Sequence, residues 1–293
     1  MTRLLEPDLL QSLQGTKLLG RRADARHGVG DRRSRALGPG IEFADYRDYQ
    51  PGDDFRYLDR HVYARHGRTV VRQFTIEQRF QVTVLLDASA SMASGAPSKY
   101  DLARRLAAAL AAVGLYGGDQ VDLAIYSGKG ILWHPRATHA GSLPRLLSWL
   151  VEHSVDGAVD LDDVARATSE RLSRGGLLVV VSDWLLDGVG AALRRWSALQ
   201  QDVVAVQVLA PDEIDPSHLA GGPVQLIDAE SGESFDVELD EDAVARYRAA
   251  FHDWEGEFHG QLTAIEGRWV RVTSDEPLRD AVLRGWRRQG LIT

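Results

Sequence analysis

The 293-residue chain contains no cysteine, which excludes disulfides, thiolate metal sites and cysteine nucleophiles. No apolar run approaches the ~18 to 20 residues that cross a bilayer, and the opening M-T-R-L-L-E-P-D lacks the apolar stretch of a signal peptide. The expectation is a cytoplasmic protein with no membrane span. Nine histidines are scattered, with neither H-E-x-x-H nor a close pair on one helical face, which argues against zinc. Gly128-Lys129-Gly130 lacks the spacing and the following Ser or Thr of a phosphate-binding loop. Ser89 and Ser91 lie among alanines rather than in the G-x-S-x-G elbow of a hydrolase. A phosphatase using Asp87 as nucleophile in the manner of haloacid dehalogenases needs a second acid two residues on, where this chain has Ser89. Internal repeats and low-complexity tracts are absent.

What is present suits a large packed core, with 44% hydrophobic and 26% charged residues. Residues 1–80 carry 15 Lys and Arg against 11 Asp and Glu, a net +4, and the remainder 19 against 31, a net −12. An acidic body disfavours nucleic acid as a partner. Leu5, Leu9, Leu10 and Leu13 recur at helical spacing, so an amphipathic helix is expected to open the chain and run on toward Leu18 and Leu19 until Gly28 and Gly30. Arg32 to Leu37, leading into Gly38-Pro39-Gly40, reads as an exposed loop. Val70, Val71, Phe74 and Ile76 suggest a strand approaching the main domain.

Val84 to Met92 reads V-L-L-D-A-S-A-S-M, an apolar run suited to a central strand, ending in one acid and two spaced hydroxyls. Ligands bind at the carboxyl ends of strands in open α/β sheets, so Asp87, Ser89 and Ser91 together look like a site for a hard cation. The plain structural alternative is that Asp87 and Ser89 turn the chain and cap the next helix. Ser98 is a cap for a helix striped by Leu102, Leu106, Leu110 and Val113. Strands follow at Gln120–Ser127 and, as an edge, at Gly130–His134, and helices through Leu143–Leu150 and Leu161–Leu172. Gly176 opens L-L-V-V-V-S-D, a second buried strand with Asp183 at its carboxyl end. A helix through Val189, Leu193 and Trp196 and a strand at Val203–Leu209 complete an α/β alternation that implies a mostly parallel sheet with helices on both faces. Beyond Pro211 an acidic, glycine-rich segment that includes Glu230 reads as irregular strands and turns. Val244 through Ile265 forms a long helix whose aromatic stripe is expected to be core. Trp269–Thr273 and a helix through Leu278, Leu283 and Trp286 close the chain.

Between Glu42 and Arg65, Tyr46, Tyr49, Phe55 and Tyr57 alternate with Arg47, Arg56, Arg60 and Arg65 and with Asp45, Asp48, Asp53, Asp54 and Asp59, around a Pro51-Gly52 turn. The acids and arginines can pair in bidentate bonds. The same arginine and aromatic alternation could stack single-stranded bases, but the acids cancel the field that such binding needs.

Two motifs meet known families. D-A-S-A-S at Asp87–Ser91 resembles the D-x-S-x-S metal motif of von Willebrand factor A-like domains. The run G-I-E-F-A-D-Y-R-D-Y-Q-P-G-D-D-F-R-Y-L-D, with Ala64-Arg65 and V-R-Q-F-T-I-E, resembles the signature of a bacterial family of unknown function typically encoded beside MoxR-type AAA+ ATPases, and the likeness continues through G-P-V-Q-L-I-D-A-E-S-G-E. Lacking the two N-terminal membrane helices of many members, the chain resembles their soluble subgroup. The resemblance implies a three-layer doubly wound α/β domain over 80–293 and an N-terminal extension over 1–79 that carries the signature. Tyr46, Arg47, Asp53, Asp54, Arg56, Asp59 and Arg65 are then partner-binding or structural.

It further implies Mg²⁺ held by Asp87, Ser89, Ser91 and Asp183, with one position left for a partner's acidic side chain. The family's usual Gly-Gly-Thr is here Gly157-Ala158-Val159, so one ligand is missing. Asp156 or Asp160 could replace it with a change of charge, and the alternatives are Mn²⁺ or no metal. Arg60 stands where a tryptophan is usual. The expected function is non-enzymatic: an adaptor of a MoxR-type ATPase, binding through a metal-bridged carboxylate. The alternatives are a metal-free scaffold of the same fold and a metal-dependent phosphohydrolase.

Overall fold

A computed structural model describes residues 4–20, 34–38, 42–78, 80–229 and 232–293. Gly28, Gly30, Arg32, Pro39, Gly40 and Glu230 fall outside these residues. The chain divides into two compact units, one formed by residues 1–23 with 81–293 and the other by 24–80.

The first helix, α1 (Pro7–Leu13), is shorter than its leucine pattern suggests. Gly15 adopts φ +87°, a conformation open to glycine, and turns the chain out of the helix. Leu18 then bridges to Ile292, and Lys17 and Thr293 exchange two hydrogen bonds of 3.0 Å. Leu4, Leu5, Leu9, Leu13 and Leu18 are all buried. The opening residues are therefore part of the α/β unit, which corrects the boundary at residue 79.

The 24–80 unit contains β1 (Ser34–Gly38), β2 (Glu42–Asp48), α2 (Arg60–His66) and β3 (Val70–Gln78). Its antiparallel sheet has the order β1-β3-β2. Two expectations change. Ser34–Leu37 is a strand rather than a loop, and β3 pairs within this small sheet. Long-range pairing overrides weak local preference there.

The larger unit continues with β4 (Gln81–Asp87), α3 (Lys99–Tyr116), β5 (Gln120–Ser127), β6 (Gly130–Trp133), α4 (Leu143–Val151), α5 (Leu161–Ser169) and β7 (Leu177–Ser182). Then come α6 (Val189–Ala198), β8 (Asp202–Leu209), α7 (Pro211–Ile214), β9 (Gly222–Ile227), β10 (Ser234–Leu239), α8 (Glu241–Ala264), β11 (Arg268–Thr273) and a helical stretch over 278–288. The main sheet has the order β11-β8-β7-β4-β5-β6 and is parallel except for the β5–β6 hairpin.

The apolar runs of β4, β7 and β8 are buried along nearly their whole length, as strands covered on both faces must be. Leu85, Tyr126, Val180 and Ala205 pack with α5, α6 and the Phe258–Leu262 end of α8. Alanine-rich α3 lies against β4, β5, β7 and β8, and alanines let its backbone approach the sheet closely. The aromatic stripe of α8 is core only in part. Phe258 is buried, but Tyr247 is 39% exposed, and the rings stack in series from Tyr247 through Phe251 and Trp254 to Phe258. The acidic segment after Pro211 is more regular than its composition suggests, since it forms α7 and the β9–β10 hairpin.

Candidate cation and carboxylate site at the sheet rim

The neighbouring parallel strands β4 and β7 both deliver an acid to the same rim. Asp87 ends β4, and Asp183 follows Ser182 at the end of β7; both acids are fully buried. Asp87 Oδ1 accepts the Ser89 backbone N–H at 2.8 Å, and Oδ2 accepts the Ser182 hydroxyl at 2.6 Å. Ser182 Oγ in turn accepts the Trp184 N–H at 2.9 Å, so the two strand ends are stitched together. Burial, with the Asp183 charge adding to it, pushes the Asp87 carboxyl up to about 7. Tyr126, opposite Asp87 in the β4–β5 register, is also buried, and its hydroxyl is raised well above its ordinary value for the same first reason.

The three remaining oxygens form a chain. Ser89 Oγ lies 3.0 Å from Ser91 Oγ, and Ser91 Oγ donates to Asp183 Oδ2 at 3.0 Å. Asp183 Oδ1 accepts the Leu185 N–H at 3.0 Å. The two acids, far apart in sequence, are thus linked through Ser89 and Ser91, while the hydroxyl of Ser182, next to Asp183 in the chain, bonds Asp87.

The strongest partner of Asp183 is Lys99, which the sequence did not single out. Its side chain is fully buried, with Nζ 2.7 Å from Asp183 Oδ2 and 2.5 Å from Glu213 Oε1 on α7. Burial pulls the lysine's pKa down, but the Asp183 and Glu213 charges outweigh it, and the net shift is upward. Glu213 also accepts the Ser94 hydroxyl at 3.3 Å and the Ala210 N–H at 2.8 Å. The residues read as possible extra ligands have other work. Asp160 caps α5 by accepting the Asp162 and Asp163 N–H groups at 2.7 and 3.3 Å. The Asp156 carboxylate pairs with Lys129 at 3.2 Å. The 156–157 backbone does reach the site, since Asp156 N–H bonds Ala88 O at 2.8 Å and Ala90 N–H bonds Gly157 O at 2.9 Å. Gly157 has φ +63° and packs on Gly128, where a Cβ would lie 2.9 Å from Gly128 Cα. Val159 packs against the hydrophobic core.

Mg²⁺ at about 2.0 to 2.1 Å from its ligands sets adjacent octahedral oxygens about 2.9 Å apart. The two 3.0 Å spacings along Ser89, Ser91 and Asp183 match that edge. Both oxygens of Asp87 already accept hydrogen bonds, from the Ser89 N–H and the Ser182 hydroxyl. Among the described residues no three His, Asp or Glu side chains gather as a metal cluster; the donors here are two hydroxyls and two acids.

The signature residues fall in the 24–80 unit. Tyr46 donates to Asp59 Oδ2 at 3.1 Å, Arg47 pairs with Asp53 at 2.8 Å, and Arg56 grips both oxygens of Asp54. Arg47 and Arg56 hold the Asp53 and Asp54 carboxyls below the usual range. Asp59 accepts the His61 and Val62 N–H groups at 2.8 and 3.1 Å, capping α2, and Arg65 is exposed on the last turn of that helix. The acids and arginines between Arg47 and Asp59 therefore largely fold the segment itself, while Phe55, 71% exposed, and Tyr63, 56% exposed, face outward.

A family described as "Protein of unknown function DUF58" matches residues 45–256. An uncharacterized protein of Mycobacterium bovis, Mb1516, is 31% identical over 229 residues, covering 75% of this chain and 72% of its own. The uncharacterized protein Rv1480 of Mycobacterium tuberculosis matches to the same extent. Among solved structures, the conserved hypothetical protein BatB of Bacteroides thetaiotaomicron is 18% identical with a TM-score of 0.45, covering 72% of this chain and 98% of that one. An aerotolerance-related membrane protein of Bacteroides fragilis is also 18% identical, with a TM-score of 0.40 and coverage of 71% and 99%.

Proposed function

The chain belongs to the DUF58 protein family, and from the rim geometry we propose that it is a non-enzymatic interaction module whose von Willebrand factor A-like domain binds an acidic side chain of another protein. The supporting observation is the run of oxygens 3.0 Å apart through Ser89, Ser91 and Asp183 at the carboxyl end of the parallel sheet. Those three residues would hold Mg²⁺ or Mn²⁺, with Asp87 behind them. When bound, the ion supplies a positive centre with room for an incoming carboxylate. That both oxygens of buried Asp87 accept hydrogen bonds from the protein supports a structural role for it over a nucleophilic one.

The proposed partner is a MoxR-type AAA+ ATPase, on the likeness of the 40–77 segment to the signature described above. Titration calorimetry of Mg²⁺ and Mn²⁺ into the native protein and the Ser89→Ala/Ser91→Ala variant tests the metal. Heat in the native protein that the variant loses supports it, and equal heats refute it. Pull-down of the ATPase with and without EDTA tests the bridge. A second reading, a metal-free scaffold, is favoured by one observation: Lys99 already supplies a cation to Asp183. Binding indifferent to EDTA would select it.

A further inference from the structure

Lys99 is the first residue of α3, where the partial positive charge of a helix N-terminus disfavours a cation. Its side chain nevertheless turns inward and is fully buried between two acids from different elements. Asp183 Oδ2 receives both the Lys99 ammonium and the Ser91 hydroxyl. Lys99 is therefore attached to the very oxygen through which Asp183 would enter the shell of a divalent ion. Glu213 completes the clamp and is itself well held. Its Oε2 accepts the Ala210 N–H, its Oε1 accepts the Ser94 hydroxyl, and its backbone carbonyl accepts the Tyr247 hydroxyl at 2.5 Å.

We infer that Lys99 is a tethered cation resident in the rim, which competes with a divalent ion for Asp183 and is retained by Glu213 when that ion enters. The inference rests on the proposed reading that the rim accepts a divalent ion. It adds a specificity-determining residue: the ammonium sets the ion concentration at which the rim can take up a carboxylate ligand. A rim closed by lysine carries its counter-charge within the chain, whereas a loaded rim turns its positive centre outward.

The competition is separable from a general effect of charge. Lys99→Met removes the competing cation but also makes the site more negative by one charge. Lys99→Met/Glu213→Gln removes one charge of each sign, so the site keeps the native net charge while Asp183 is freed. The amide oxygen introduced by Glu213→Gln would still accept the Ala210 N–H. Mn²⁺ binding, read from loss of the free-ion paramagnetic resonance signal, is compared across the native protein and both variants, with circular dichroism checking the fold. Both variants are expected to bind Mn²⁺ at least about tenfold more tightly than the native chain. Tightening in Lys99→Met alone, with the double variant at native affinity, overturns the inference in favour of net charge. Equal affinity in all three proteins overturns it while leaving the metal site standing. No binding in any of them removes both. Should Lys99→Met fail to fold, the charge-balanced double variant carries the comparison.

Discussion

The pairing of Lys99 with Asp183 has an energetic signature that can be measured without a metal or a partner. At 2.7 Å and an effective dielectric near 20, Coulomb attraction is about 6 kcal/mol. Desolvation costs several kcal/mol for each ion, so the intact pair contributes little net stability, while removing one member leaves the other uncompensated at about 3–5 kcal/mol. The structure makes the two losses unequal. After Asp183→Asn, Lys99 retains Glu213, whose side chain is 23% exposed and partly hydrated, so the cost falls to about 2–3 kcal/mol. After Lys99→Met, Asp183 and Glu213 face each other with no counter-ion, and the cost lies near the upper end, about 4–5 kcal/mol. The double variant leaves only Glu213, which can hydrate, so its cost falls well below that of Lys99→Met, to about 3 kcal/mol. The cycle then yields a coupling of about 4 kcal/mol. Urea unfolding in EDTA of the four proteins measures it. Additivity within about 0.5 kcal/mol would refute the reasoning, as would a greater loss in Asp183→Asn than in Lys99→Met.

Asp160→Ala is expected to cost about 1 kcal/mol through loss of the α5 cap and to leave Mn²⁺ affinity unchanged; a large loss of affinity would reinstate Asp160 as a ligand. His134 is 3% exposed and stacks edge-on against Trp149, with its pKa lowered by burial and by the nearby Arg145 charge. A histidine depressed in the fold contributes stability above its unfolded pKa and loses it as pH falls. Denaturant midpoints of the native protein should therefore drop between about pH 7 and pH 5 more than those of His134→Leu. Parallel pH profiles for the two proteins would refute this.

The scaffold was legible because its strongest signals are local. Three consecutive apolar residues before Asp87, Val84 to Leu86, and the L-L-V-V-V run before Asp183 identified the central strands, and strand–helix alternation implied a mostly parallel sheet. Each acid was legible at the carboxyl end of a buried strand, whereas their convergence was implied only by the resemblance to von Willebrand factor A-like domains, because the pairing of β4 with β7 is a long-range contact that local pattern does not carry. Lys99 was hidden because a lysine beside a helix cap looks like a solvated residue of the first turn. Its unfavourable place against the helix dipole was the available clue. Glu213 sat in an acidic stretch that composition assigned to turns, although a glutamate three residues into a helix after Ala210-Pro211 carries a capping signal. β1 could not be read locally, since its strand character comes from register with β3.

The joining of Lys17 and Leu18 to Thr293 and Ile292 bears on how the protein can be dissected. A fragment starting at residue 80, where the change in composition invites a cut, would lack the five leucines at positions 4, 5, 9, 13 and 18 that this unit buries. Its newly bared apolar surface would make it sticky, and apparent partner capture by such a fragment would report that damage rather than recognition at the rim.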